Sequence, residues 1–104
     1  MADGGSGAVD FAYLEGFAGG DKQVVGEVLA LFVQQAELWG PGLTADNPDW
    51  GDLVHTIKGS ARGIGANALG DTCAHCEGYG PEGLVAVRAD LAAVVAAIQA
   101  YQAR

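Results

Sequence analysis

Near the C-terminus, Leu84, Val87, Leu91, Val94, Ile98 and Tyr101 follow one another at alternating intervals of three and four. That spacing places all of them on one side of an α-helix, as a continuous apolar seam. A half-buried strand would instead alternate with a period of two, and no stretch of the chain does so. The same helical pattern recurs upstream. Asp10 is placed to cap a short helix carrying Phe11, Leu14 and Phe17, which Gly19-Gly20 stops. Asp21 then caps a second helix with Val24, Val25, Val28, Leu29, Leu31, Phe32, Val33, Leu38 and Trp39. This helix is apolar around much of its circumference, so it is expected to be central. Gly40-Pro41-Gly42 ends it, and residues 40–49 form the longest loop, flanked by Trp39 and Trp50 as core or loop anchors.

Asn47-Pro48 is expected to open the third helix as N-cap and first helical residue. Trp50, Leu53, Val54, Ile57, Ala61 and Ile64 form its apolar stripe, with Gly63 and Gly65 weakening its end. A shorter fourth helix carries Leu69, Cys73, Cys76 and Tyr79, and Gly80-Pro81 resets the chain before the final seam. The pattern predicts an all-α fold: an antiparallel four-helix bundle with a short extra N-terminal helix. With 104 residues there is room for one such domain, expected over 9–104 behind a Gly-, Ser- and Ala-rich leader over 1–8. With termini at Met1 and Arg104 a free-standing protein is the expectation, the alternative being a module of a larger kinase.

Charge narrows the function classes. Thirteen Asp and Glu face five Lys and Arg, a net charge of −8. Such a chain is ill suited to nucleic acid or to an anionic membrane surface. No apolar run reaches the ~18 residues expected of a membrane span. The first residues lack the basic end and apolar stretch of a secretory signal, so the cytoplasm is the expected location and Cys73 and Cys76 are expected to stay reduced.

The third helix carries the candidate chemistry. At about 100° per residue, with Trp50 at zero, the apolar stripe falls within roughly 60° of zero. On the same count His55 lies at about 140°, Gly59 at about 180°, Arg62 at about 120°, Lys58 at about 80° and Asp52 at about 200°. His55 therefore points away from the core, with a cation one turn on and another two turns on. Imidazole is a nucleophile near neutral pH because a useful fraction is uncharged. Lys58 and Arg62 put positive charge where a phosphoryl group would land. Gly59 lowers helix stability by about 0.8–1 kcal/mol relative to Ala, which suggests that bulk is excluded beside the nucleophile. Asp52 is a candidate acceptor for the far ring nitrogen.

Cys73, His75 and Cys76 offer a second constellation, since Cys at i and i+3 share a helix face and zinc accepts such ligands. Both Cys lie on the Leu69 stripe, however, and His75 points well away from it. Core packing is the favoured reading.

His55-Thr56-Ile57-Lys58-Gly59-Ser60-Ala61 resembles the H-x-L-K-G-S/A-S/A signature of histidine-containing phosphotransfer (HPt) domains. The similarity continues through Gly65-Ala66, Leu69, Cys73 and Glu77, and upstream at Gly20-Asp21 and Leu31-Phe32, covering roughly residues 10–103. Ile57 and Cys76 stand where the family usually has Leu, both apolar exchanges. The resemblance implies that His55 takes a phosphoryl group from the phospho-aspartate of a receiver domain and passes it to another. Lys58 would lie against the phosphoryl oxygens and Gly59 would let the receiver approach, with Arg62, Asp52 and Ser60 in support. The implied partners are response-regulator receivers and the receiver of a hybrid histidine kinase, and the implied state is a monomer. The module would need no cofactor of its own, because the receiver supplies Mg²⁺. It would have no kinase activity, and no Gly-rich phosphate loop ending in Lys-Ser/Thr is present. The alternative is a helical interaction module that binds receivers or kinases without carrying phosphate.

Overall fold

The computed structural model describes residues 7–104, and apart from a single extended residue at Gly7 its elements are helical. Helix α1 spans Phe11–Phe17, α2 Lys22–Trp39, α3 Trp50–Gly63, α4 Asn67–Tyr79 and α5 Leu84–Gln102, with single 3-10 turns at Gly40–Gly42 and Pro81–Gly83. The four longer helices form the bundle and α1 is the short N-terminal addition. Connections of a few residues at 64–66 and 80–83 turn successive helices back on one another. Of the expected leader, residues 1–6 lie outside the described residues. Ala8 is already half-buried and Val9 is 5% exposed, so the packed domain begins before residue 9.

The first two caps form as the sequence predicts. The Asp10 carboxylate accepts from Tyr13 N at 3.0 Å, and Asp21 accepts from Gln23 N and Val24 N at 3.0 and 3.2 Å. Each satisfies backbone donors that the first helical turn leaves without partners. The start of α3 differs from expectation. Helix begins at Trp50, and Asn47 and Pro48 belong to the preceding turn. Asn47 has its side chain committed at both ends: Oδ1 accepts from Asp49 N and Nδ2 donates to Gly42 O, each at 2.9 Å. This amide closes the loop rather than capping the helix. Leu43, with no exposed surface, anchors the same loop, and Arg88 of α5 donates to the Leu43 carbonyl at 2.5 Å.

The core is continuous. Leu29, Phe32 and Trp39 of α2 meet Val54, Ile57 and Ala61 of α3, Leu69, Cys73 and Cys76 of α4, and Leu84, Val87, Leu91, Val94 and Ile98 of α5. The predicted seam on α5 is thus the bundle's own interior, with Tyr101 half-buried at its end and stacked on Phe11 at 4.2 Å. Pro81–Gln102 is in fact long and apolar enough, by length and composition, to cross a membrane, which corrects the reading that no stretch qualifies. Its core-facing side packs inside the bundle, and alanines make up much of the rest.

The expectation that α2 is central fails. Only Val25, Leu29, Phe32, Ala36 and Trp39 are buried, while Val24, Leu31 and Leu38 are 41%, 55% and 73% exposed. A helix at the edge of a bundle can bury one stripe, so apolar residues beyond that stripe remain outside. The closest pairing is between α3 and α4, and that pair positions the candidate site.

Candidate functional site

Helix α3 turns its buried stripe inward and thereby sets His55 outward. Val54 and Ile57 have no exposed surface, while the His55 side chain, between them in sequence, is 70% exposed. Gly59 lies one turn on, and a Cβ added there would meet nothing within 4 Å. The space above the imidazole is open, as the helical wheel predicts.

The partner of the ring comes from α4. Glu77 Oε2 lies 2.9 Å from His55 Nδ1, and Glu77 Oε1 lies 2.5 Å from Lys58 Nζ. Cys73 and Cys76 explain the placement, because burying both on one side of α4 turns the adjoining Glu77 toward α3. The carboxylate thus bridges a cation and an imidazole. The Lys58 ammonium, and after it the His55 ring, hold the Glu77 carboxyl below its ordinary range against the upward push of partial burial. With Nδ1 facing a carboxylate, the neutral ring carries its hydrogen on Nδ1 and a lone pair on Nε2. Nε2 has no hydrogen-bond partner among the described residues.

Two expected neighbours do not take part as predicted. The Asp52 carboxylate makes no hydrogen bond to the ring, and Glu77 occupies that role. Asp52 instead accepts through its backbone carbonyl from Thr56 Oγ1 at 3.1 Å. Arg62 also turns away. Its stem packs over Gly70, where an added Cβ would lie 2.8 Å from Arg62 Cγ, and its guanidinium meets Asp71 at 3.4 Å. An Arg two turns beyond His55 finds a carboxylate on the neighbouring helix closer at hand. Ser60 is half-buried beside a groove between α2 and α3, where Val28 and Leu31 face Ser60 and Gly63 over a floor of Phe32 and Trp39.

Sequence reasoning places Glu77 in a motif without giving it a role. The available signal is its position: Glu77 follows Cys73 by four residues and so flanks the buried stripe of its helix. Cys73 and Cys76 are free thiols with no exposed surface, which bears out their assignment to the core. His75 is exposed and stacks on Tyr79 at 5.4 Å, away from both.

An outward imidazole on a rigid helix, backed by a carboxylate and an ammonium and left unobstructed above, defines a helical histidine phosphotransfer module. The comparisons with known proteins agree. The family model described as Hpt domain matches residues 27–104. The chain is 56% identical to the histidine phosphotransferase ShpA from Caulobacter crescentus, whose crystal structure it matches with a TM-score of 0.83 over 91% of this chain and 90% of that one. A comparison with the curated proteins returned no match. This chain belongs to the Hpt domain family, the phosphotransfer carriers of two-component phosphorelays.

Proposed function

We propose that His55 is the residue that carries the phosphoryl group between receiver-domain aspartates. The observation behind this reading is the 2.9 Å contact of Glu77 with Nδ1, which directs the nucleophilic lone pair to Nε2 on the exposed side of α3. Phosphorus is attacked by Nε2 as the aspartyl oxygen leaves with its electron pair, and the reverse step returns the group to a second aspartate. Lys58 stands one turn away to meet the phosphoryl oxygens. Gly59 leaves room for the loops of the partner.

The receiver docks over the outer side of α3 and α2. Support comes from the exposed apolar residues Val24, Leu31 and Leu38 and from the groove that joins α2 to Ser60 and Gly63. Receivers of response regulators and of a hybrid histidine kinase are the donors and acceptors. The module works as a cytoplasmic monomer without an ATP site or a cofactor of its own, and Mg²⁺ comes with the receiver's acidic pocket.

The test is incubation with a phosphorylated receiver, followed by assay for acid-labile phosphate on this chain. His55→Gln should abolish acceptance completely and leave helicity and melting nearly unchanged, since an exposed side chain contributes little stability. Label retained by that variant, or found on His75, would show that another residue is the carrier. Binding of the receiver with no phosphate uptake by the unaltered chain would favour the non-phosphorylated interaction module.

A further inference from the structure

Helix α2 meets α5 less closely than α3 meets α4. Two polar ties set the register of this antiparallel pair, one at each end. Gln102 Nε2 donates to Gly26 O at 3.2 Å, and Arg88 donates to the Leu43 carbonyl just beyond α2. Between the ties the helices face each other through side chains too short to fill the space. Ala36 of α2 and Ala92 and Ala96 of α5 line an open groove of about 400 Å³, walled by Val33 and Val95. Leu43 and Leu91, both buried, form its floor.

The groove is aliphatic along its length and polar at its ends, with Arg88 at one and Gln99 at the other. A guanidinium carries five N–H donors. Arg88 spends its hydrogen bond on a backbone carbonyl, and among the described residues no carboxylate pairs with it. Lys58 and Arg62, by contrast, each have a carboxylate partner. Glu37 is the acidic residue of the lining, exposed and not ion-paired with Arg88. An apolar channel that ends on a cation with donors to spare complements an amphiphile with an anionic head.

Size decides between a hydrocarbon tail and a peptide helix as the apolar part. From Arg88 to Gln99 the groove runs ~16 Å along α5. A helix of that length, ~10 Å across, occupies on the order of 1,200 Å³ and would rest on the groove without entering it. A single unbranched chain is thin enough to lie along the floor. We propose that the α2–α5 groove binds a free fatty carboxylate of medium chain length, its tail along Val33, Leu91 and Val95 and its carboxylate on Arg88. Helix α2 packs on α3 and α5, and α4 does the same, so the groove lies across the bundle from the α3–α4 pair. An occupied groove leaves His55 open, and the site does not depend on which residue carries phosphate.

The full chain is titrated with octanoate, decanoate, dodecanoate and tetradecanoate, each below the concentration at which it aggregates, and followed by calorimetry and backbone amide NMR. Binding should saturate at one site. Affinity should rise by up to about fourfold per methylene and level off at dodecanoate, where the tail reaches the end of the groove. Amide shifts should gather in residues 33–43 and 88–99. Arg88→Gln should weaken dodecanoate by about five- to tenfold and leave neutral decanol unchanged. Glu37→Gln should tighten dodecanoate by about twofold, because a like charge leaves the rim. Ala96→Phe, which sets a ring into the groove from an exposed position, should abolish binding with helicity kept. The last two variants leave the Arg88–Leu43 tie intact, so they decide the matter even where Arg88→Gln loosens the loop. Equal binding by Ala96→Phe, or affinity that climbs undiminished through tetradecanoate, would overturn the proposal. So would shifts gathered at Val28, Leu31 and Ser60. Retention on phosphatidylglycerol vesicles without saturable binding of free dodecanoate would make this face a membrane contact and overturn it as well.

Discussion

On the side of the α3–α4 pair that faces the bundle, Val54, Ile57, Ala61, Leu69, Cys73 and Cys76 have no exposed surface. One or two residues further round the same two helices stand His55, Lys58, Gly59 and Glu77. Cys76 and Glu77 are adjacent in sequence yet occupy different media: one thiol shut from water, one carboxylate bridging two side chains of the next helix. The inner side sets the separation and rotation of the helices through close packing, which tolerates little displacement. The outer side uses that fixed geometry and adds little to stability. A helix-weakening Gly and an exposed imidazole can occupy it because the inner side already holds the helices in place. Stability and chemistry therefore separate by helix face rather than by segment.

The largest effect expected from this division concerns the thiols. Cys73 and Cys76 should react with a thiol reagent roughly a thousandfold or more slowly in the native state than after unfolding, because access requires opening of the core. Burial, with Cys76 and Glu77 as further contributors, pushes the Cys73 thiol up to about 11, so the closed core holds little thiolate and the ordinary thiol range returns only on opening. Rapid native labelling, read by mass, would show that the inner side is not closed. Next is Ile57→Ala, two residues from the carrier. It should cost about 2–5 kcal/mol in denaturant unfolding through the cavity it leaves, with phosphate acceptance preserved below the new melting range.

Lys58→Ala should do the opposite. Transfer should slow by about tenfold or more while stability moves by about 0.5 kcal/mol or less, since the ammonium serves the phosphoryl oxygens more than the fold. Lys58→Arg should fall between, because a planar guanidinium does not place its charge as an ammonium does. A large loss of stability in Lys58→Ala, measured by melting, would place part of the scaffold on the outer side. The sharpest contrast belongs to Gly59→Gln, where a gain in stability is set against a loss of transfer. With open space around an added Cβ, this variant should gain roughly 0.5–1 kcal/mol from improved helix propensity. Transfer should nonetheless fall, because the added side chain stands where the partner must approach. Destabilisation in a thermal melt would mean that Gly59 serves packing.

The residues legible in the sequence are those whose behaviour is local. Asp10 and Asp21 cap helices because the donors they satisfy lie two or three residues away. His55 points outward because rotation about its own helix dictates it. Asn47 reads as a cap in sequence, yet its real partners, Gly42 O and Asp49 N, belong to a loop whose shape no periodicity encodes. Asp52 and Arg62 fall beside His55 on the wheel of a single helix, which holds no information about the neighbouring helix. There Glu77 takes the ring and Asp71 takes the guanidinium. The exposed residues of α2 have the same origin: apolar character is visible in sequence, but which stripe the bundle covers is a tertiary matter.

Gly65, at the turn from α3 to α4, has a φ of 83°, and its carbonyl accepts from Asp10 N at 2.9 Å. A side chain there would meet the Asp10 carbonyl oxygen, 2.9 Å from the position of its Cβ. The corner is thus closed from three directions: by its own backbone, by the entry strap before α1 and by the helices on either side. Adding or deleting one residue within it would advance or retard α4 by about 100° and swing Glu77 off the imidazole while leaving every helix intact. The loop at 43–49 carries no such phase relation to the site, since α3 holds His55 and Lys58 together whatever precedes it. Divergence in chain length should therefore accumulate before α3 and be absent between α3 and α4, where the chain keeps time between two helices.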